Sequence, residues 1–302
     1  MERKIFDVII IGGSYSGLAA ALALGRALRK VLIIDGGDPC NKPTPHSHNF
    51  LTQDGKTPAG IHALAKEQVL KYKTIEFLTG IAVSGKKADD GLFEIVEAKG
   101  DRYFAGQLIF ATGIKDKLSE PKGIAECWGI SVIHCPYCHG YEVRDMPTGI
   151  LSNGPEAIEI AALISNWTKD LTILTNGDAS FTEEEESKLK KHAIKIEERR
   201  IIEIQHNEGQ LTNLLLEDGK ELALKAIYYR PGFTQHCEIP HELGCEITEE
   251  GYIKVDPTQS TTIEGVYACG DNTTRMRSVA NAVYMGTMAG VAASRRIIVG
   301  SF

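Results

Sequence analysis

The stretch that most limits what this chain can become is FDVIIIGGSYSGLAAALALGRALRKVLIID, residues 6–35. Its continuous apolar run up to Gly12 is the pattern of a strand buried on both faces, and the alanine-rich segment after Gly17 has the composition of a helix. A dinucleotide turn needs small residues spaced GxGxxG. The first makes the tight turn, the second lets a pyrophosphate approach, and the third packs helix against strand. Gly12, Ser14 and Gly17 fill those places, with a serine in the middle one. Asp35 closes the second strand about 20 residues on, where a carboxylate accepts a hydrogen bond from a ribose hydroxyl. A lone GxGxxG is weak evidence. Set between strand and helix with its acid in place, it predicts an α/β nucleotide-binding unit.

A second unit of the same kind starts at Thr148: TGILSNGPEAIEIAALISNWTKDLTILTNGD. Gly154 and Ala157 take the later small-residue places, but Ser152 stands where the first glycine belongs. The next strand runs into Leu174-Thr175-Asn176-Gly177-Asp178, with no arginine cluster for a 2′-phosphate. The expectation is a nucleotide fold with a degraded site, which places NADPH in doubt. At 302 residues the chain exceeds the usual single domain, so two domains are expected. LTNLLLEDGKELAL reads as a hairpin turning at Asp218-Gly219, Ala226 to Tyr229 as a strand, and Glu183 to Glu186 as the solvated start of a helix. GVYACGDNT reads as a buried strand ending in Gly-Asp, followed by the helical SVANAVYMGTMAGVAASRRII.

With 33 basic against 40 acidic residues the net charge is −7, which offers no basic surface for nucleic acid or anionic lipid. No apolar stretch reaches the roughly 18 to 20 residues that span a bilayer. The start MERKIFDVIIIGG breaks at glycines without a cleavage-type segment, so a cytoplasmic protein is expected, with neither nucleic acid nor membrane as partner. Seven cysteines in scattered positions do not make a secreted disulfide framework.

Two of those cysteines stand in HCPYCHGYEVRD, residues 134–145, where CPYCH admits a metal site, a covalent haem attachment or a redox thiol pair. Haem attachment would require export, and zinc would want a second pair of ligands, which Cys127, Cys237 and Cys245 do not supply. For redox chemistry the spacing is favourable. Positions i and i+3 of a first helical turn share a face, Pro136 suits the opening turn, and a helix N-terminus stabilises a thiolate.

The combination of the first nucleotide unit, the tripeptide Ala111-Thr112-Gly113, a CxxC inside a second nucleotide-fold domain and the C-terminal Ala268-Cys269-Gly270-Asp271 resembles the low-molecular-weight thioredoxin reductases essentially from end to end. The resemblance implies an α/β fold of two Rossmann-like three-layer domains. A discontinuous FAD-binding domain, residues 1–115 and 243–302, would be interrupted by an NAD(P)-type domain, 116–242, carrying the CxxC. It implies FAD with Gly12, Ser14 and Gly17 at the pyrophosphate, Asp35 at the adenosine ribose, and Gly270 and Asp271 toward the ribityl chain. Ala111, Thr112 and Gly113 join this set, and the helix start at Ser278, Val279 and Ala280 would face the flavin N1 and O2 edge. A positive dipole end there stabilises the anionic reduced flavin. A homodimer is implied as well.

Three departures refine the resemblance. His139 replaces the acidic residue that follows the second cysteine in the reductases, the second nucleotide motif is degraded, and the loop PTPHSHNFLTQDG, residues 43–55, brings His46 and His48 to where the chain passes the flavin. By resemblance His48 and Asn49 join the cofactor contacts. Together these features are similar to the gliotoxin and holomycin dithiol oxidases, in which CxxCHG is followed by an aromatic residue and Glu and oxygen takes the place of NADPH. The motif stands here as Cys135, Cys138, His139, Gly140, Tyr141 and Glu142. The implied activity is a dithiol oxidase acting on a small-molecule or protein dithiol. Cys135 would be the attacked sulfur, Cys138 the flavin-facing one, His139 the proton shuttle and O2 the acceptor. The competing readings are a disulfide reductase fed by NAD(P)H or a protein donor such as ferredoxin, and a flavoprotein sensor, against which the intact CxxC argues. Cys40 and Cys269 are expected to be packed small residues.

Overall fold

In the computed structural model, which describes residues 3–302, the apolar run ahead of Gly12 is a strand covered on both faces. Ile9 and Ile11 of this strand (β1, Ile5–Ile11) belong to one buried cluster, and Val8 and Ile10 to another. The chain continues through α1 (Tyr15–Arg26), β2 (Val31–Asp35), α2 (Pro58–Leu70), β3 (Ile75–Thr79), β4 (Ala82–Lys87), β5 (Phe93–Glu97), β6 (Arg102–Phe110) and β7 (Ile114–Asp116). Next come α3 (Ile124–Cys127), β8 (Val132–Ile133), α4 (Pro136–His139), β9 (Thr148–Leu151), α5 (Gly154–Ile164), β10 (Leu171–Leu174), α6 (Glu183–Lys191), β11 (Lys195–Glu197), β12 (Ile201–Asn207), β13 (Gln210–Leu216), β14 (Glu221–Ala223) and β15 (Ala226–Tyr229). The last stretch holds β16 (Phe233–Gln235), α7 (Ile239–Glu242), β17 (Val266–Ala268) and α8 (Val279–Gly300).

These elements fall into two compact units. The first comprises residues up to 42, Phe50–Lys115 and Phe233–Phe302; the second comprises Pro43–Asn49 and Asp116–Gly232. The division departs from the sequence boundaries in two places. Residues 233–242 go with the first unit because Ile239 of α7 packs into its core, where its methyl group lies against Gly85 of β4. The segment 43–49 goes with the second, where Pro43 and Thr44 close on Gly129.

The first unit is built on a seven-stranded sheet of order β3-β2-β1-β6-β5-β4 with β17 added beside β6. Strands β1, β2, β3, β6 and β17 run parallel, while β5 pairs antiparallel with β4 and β6. One face is covered by α1 and α8, which approach to backbone contact. A Cβ on Gly286 would lie 2.0 Å from the Ser16 carbonyl oxygen, and one on Gly290 would lie 2.5 Å from that of Ala20. That closeness explains the small-residue composition of the C-terminal helix.

The second unit has a parallel five-stranded sheet of order β11-β10-β9-β15-β8. One face packs Ile133, Ile150 and Ile173 against Ala157, Ile160 and Ile164 of α5. The other packs Val132, Leu174 and Ile227 against the antiparallel sheet β12-β13-β14, whose second hairpin turns at Asp218-Gly219 as the sequence predicts. The acidic run begins α6 through a capping box between Thr182 and Glu185. The protein is thus α/β with two Rossmann-like units, and no helix among the described residues is long and apolar enough to cross a membrane.

Candidate functional site

In the first unit the turn between β1 and α1 is shaped by contacts that exclude side chains. Gly12 has φ +100°, and a Cβ on it would lie 2.2 Å from the Ala111 carbonyl oxygen. A Cβ on Gly17 would lie 1.9 Å from the Gly12 oxygen, so α1 presses directly on the turn. The Gly13 amide donates to Asp35 Oδ1 at 2.9 Å, fixing the carboxylate beside the loop. His62 of α2 makes a 3.0 Å hydrogen bond through Nε2 with the Gly13 carbonyl. Ser14 is the N-cap of α1 but makes no side-chain cap, and no acidic residue stands in the first turn. The start of α1 is therefore left for an anion, the ready use of such a helix end. A cavity of about 540 Å³ opens here, bordered by Gly12, Gly13, Ser14, Asp35, Ala111 and Thr112. Lys42, His62, His236 and Cys237 also border it. The donor set fits FAD: helix amides for the pyrophosphate, a carboxylate for the ribose, and a turn with no room for Cβ atoms.

Apart from His48 and Asn49, the remaining residues named for the cofactor lie in the same unit but outside that cavity. Gly270 has φ +91° and stacks on Ser16; Asp271 accepts from Cys40 Sγ at 3.5 Å and pairs with Arg277 Nε at 3.5 Å. Gly113 has φ +63°, and Ser278 caps α8 by accepting from the Asn281 amide at 3.1 Å, so Val279 and Ala280 open that helix. The sequence reading missed Asn272, fully buried, whose Nδ2 donates to the Phe110 carbonyl at 2.9 Å and ties the Gly-Asp turn to the end of β6.

The second nucleotide turn, between β9 and α5, has the opposite construction. Asn153 Oδ1 accepts from the amides of Gly154 at 2.8 Å and Ser180 at 2.9 Å, while its Nδ2 donates to the Asp178 carbonyl at 2.9 Å. The segment 178–180 is thereby strapped to the start of α5, where a pyrophosphate would sit. Glu156 adds a carboxylate to the first turn, 3.5 Å from Arg230 Nη1. Arg199, the first of two arginines after β11, is engaged with Glu197 and Asp218.

The thiol pair lies in the same second unit. Strand β8 leads through His134 into Cys135, the N-cap of the single-turn helix α4, and Pro136 opens that turn. Gly140 ends it against Trp167: a Cβ there would lie 3.0 Å from the indole and 2.5 Å from the Pro136 oxygen. The Cys135 thiol is lowered to about 7, first by a hydrogen bond from the Cys138 thiol and then by the amides of Cys138 and Tyr137, against the effect of burial. Sequence reasoning credited a helix N-terminus; with one turn of helix, the neighbouring thiol is the larger cause. Burial holds His139 below the ordinary histidine value, aided by His48 and opposed by Glu142. His48 Nε2 lies 3.5 Å from Glu142 Oε1, and the His46 and His48 rings are 6.5 Å apart. His48 and Asn49, named for the cofactor, thus belong to the unit of the thiol pair, and His48 faces Glu142.

The other cysteines divide by burial. Cys269 is fully buried and pushed up to about 12, and burial raises Cys127, Cys245 and, to about 11, Cys237. Cys40 departs from expectation: it is exposed, because its loop follows β2 outward, and is not a packed core residue. Among the described residues no group of three His, Cys, Asp or Glu side chains is arranged to hold a metal.

The profile of the pyridine nucleotide-disulphide oxidoreductases matches residues 6–286. A curated relative, thioredoxin reductase tcpT of Claviceps purpurea, is 34% identical over 305 residues, covering 98% of this chain and 95% of its own. Among solved structures, an oxidoreductase from Agrobacterium tumefaciens is 40% identical with a TM-score of 0.90, over 97% of this chain and 99% of that one. HlmI is 29% identical with a TM-score of 0.91, over 98% and 93%. The chain belongs to the pyridine nucleotide-disulphide oxidoreductase family and is a FAD-dependent disulfide oxidoreductase of the thioredoxin reductase type.

Proposed function

We propose that this enzyme is a dithiol oxidase, in which electrons pass from a substrate dithiol to the Cys135–Cys138 pair, then to FAD and to O2. The observation that carries the reading is the contrast between the two nucleotide turns. The start of α1 is uncapped and free of acid, whereas the start of α5 is filled by Asn153 and its strap and carries Glu156. A dinucleotide phosphate entering the second turn would have to displace three hydrogen bonds and face a carboxylate. Asp178 and the four glutamates that open α6 add further negative charge where a 2′-phosphate would need a cation. Gly12, Ser14, Gly17 and Asp35 would hold the adenosine and pyrophosphate part of FAD, and the residues from Ala111 to Gly113, Gly270, Asp271 and Ser278 to Ala280 would hold the rest.

The chain's own chemistry begins at His139. Because its pKa is lowered, the ring is neutral near pH 7 and takes the proton of the first substrate thiol. That sulfur attacks Cys135; the Cys135–Cys138 bond breaks and its electron pair goes to Cys138. A second substrate thiol attacks the substrate sulfur, Cys135 departs as a thiolate, and the second proton ends on Cys138. The product state has a Cys138 thiol donating to a Cys135 thiolate, the arrangement that lowers Cys135 to about 7. Glu142, facing both His48 and His139, offers the route by which the proton on His139 leaves. FAD, when bound, would supply the two-electron acceptor needed to restore the disulfide, with O2 as the final acceptor and hydrogen peroxide as its product. The enzyme works as a homodimer on a small-molecule or protein dithiol.

A disulfide reductase using NAD(P)H is the second reading, favoured by the names of relatives such as the thioredoxin reductases of Claviceps purpurea and Bacillus subtilis. Oxygen-electrode turnover decides between them. Oxygen uptake with a dithiol alone, one peroxide per disulfide formed, supports the oxidase, and disulfide-driven oxidation of NADPH overturns it.

A further inference from the structure

Tyr228 stands in the middle of β15, paired with Ile133 of β8 on one side and Ile150 of β9 on the other. Its ring lies on the α5 side of the sheet, in the cluster of Ile133, Ile150, Ala157 and Ile160. In such a layer phenylalanine fills nearly the same space. The phenol adds only a hydroxyl, which is buried without a hydrogen-bond partner among the described residues, on a side chain 3% exposed. A buried hydroxyl left unpaired opposes folding, so its presence asks for a partner that comes and goes. Strand β8, directly beside Tyr228, runs through His134 into Cys135. The charged groups that bear on the phenol are Cys135, Glu142 and Cys138, in that order; with burial as the larger cause, all three keep it protonated. The site therefore has a phenolic proton held near the thiol pair, on a group that does not ionise.

We propose that Tyr228 is a catalytic residue whose hydroxyl donates a hydrogen bond to the Cys135 sulfur when that sulfur leaves as a thiolate during thiol–disulfide exchange. In the reduced pair the Cys138 thiol fills this role. Once Cys138 has itself left as a thiolate, it has no proton to give. When the second substrate sulfur then attacks the first, the new S–S bond forms, the bond to Cys135 breaks, and the electron pair stays on Cys135. At that moment Tyr228 adds a side-chain donor to the amides of Cys138 and Tyr137 that already face Cys135. The inference rests on exchange at Cys135 and Cys138, whichever way electrons run, and not on oxygen or NADPH.

The test removes the competing donor. In flavin-loaded protein carrying Cys138→Ala, the pH dependence of Cys135 alkylation by iodoacetamide is compared with and without Tyr228→Phe. The expected result is a Cys135 midpoint raised by about one pH unit in the double variant, a tenfold loss of thiolate on the acid side. The thermal midpoint of Tyr228→Phe alone should be unchanged or higher, since the lost hydroxyl has no partner. Equal midpoints in the two backgrounds overturn the proposal. So does a Tyr228→Phe protein that melts lower or does not fold, because the hydroxyl would then be structural. Alkylation involves neither oxygen nor NADPH, so failure here leaves the oxidase reading untouched, and failure of that reading leaves this result standing.

Discussion

Replacing Cys138 by alanine removes the largest cause of the acidity of Cys135, whose pKa is lowered from 9.0 to about 7. The limiting outcome is a full return to 9.0. At pH 7 the thiolate would then fall from about half of the protein to about 1%, roughly fifty-fold. Intrinsic nucleophilicity moves the other way. With a Brønsted coefficient of about 0.4–0.5, a thiolate two units more basic reacts about 6- to 10-fold faster with a disulfide. Ionisation wins at pH 7, leaving the variant about 5- to 8-fold slower, whereas at pH 10, where both forms are mostly ionised, the variant is about 6- to 10-fold faster. The two rate profiles must therefore cross. The assay is the second-order reaction of the anaerobically reduced protein with a small aromatic disulfide from pH 5 to 10, read by absorbance. A Cys40→Ser background silences the exposed thiol. A Cys138→Ala profile that runs parallel to its parent, with its midpoint still near 7, would refute the assignment of that acidity to the Cys138 thiol.

Other expectations follow from the same contacts. Gly17→Ala puts a Cβ 1.9 Å from the Gly12 oxygen; it should cost about 1–3 kcal/mol or more and lower the flavin-to-protein absorbance ratio, checked beside the melting temperature. His139→Ala should slow dithiol turnover by about 10²- to 10⁴-fold near neutral pH and remove the acid limb of the kcat/KM profile. Glu142 raises the His139 pKa, so Glu142→Gln should move that acid limb to lower pH, and His48→Asn, which removes a group that lowers it, should move the limb higher. Kinetics across pH 4 to 9 reads both signs.

The first unit was legible because its constraints are local. Spacing alone places Gly12, Gly17 and Asp35 around one turn, and the carbonyl contacts that exclude a Cβ at the two glycines are what that spacing encodes. Cys135 and Cys138 were legible for the same reason. The second turn was only half legible. The missing glycine at Ser152 was visible, but the filling of its place depends on Asn153 reaching a segment some 25 residues away, a contact that spacing does not carry. The segment 43–49 reads as a loop of the first unit because it is embedded there in sequence, yet Thr44 and His48 find their neighbours, Gly129 and Glu142, in the second. Tyr228 was invisible: in Ala226-Ile227-Tyr228-Tyr229 an aromatic residue in a buried strand needs no reason beyond packing, and only the unpartnered hydroxyl sets it apart. Cys40 and Cys269 look alike in sequence and differ wholly in burial, because one leaves β2 outward and the other ends β17 inside the core.

In a dithiol oxidase, electrons enter through the thiol pair and not through a nicotinamide. The most direct test of that route is anaerobic flavin absorbance, with NADPH, NADH and then a dithiol mixed rapidly with the enzyme and oxygen admitted afterwards. No bleaching is expected with either nicotinamide at millimolar concentration, but prompt bleaching by the dithiol and peroxide in equal amount to the flavin reoxidised. Rapid bleaching by NADPH would contradict it.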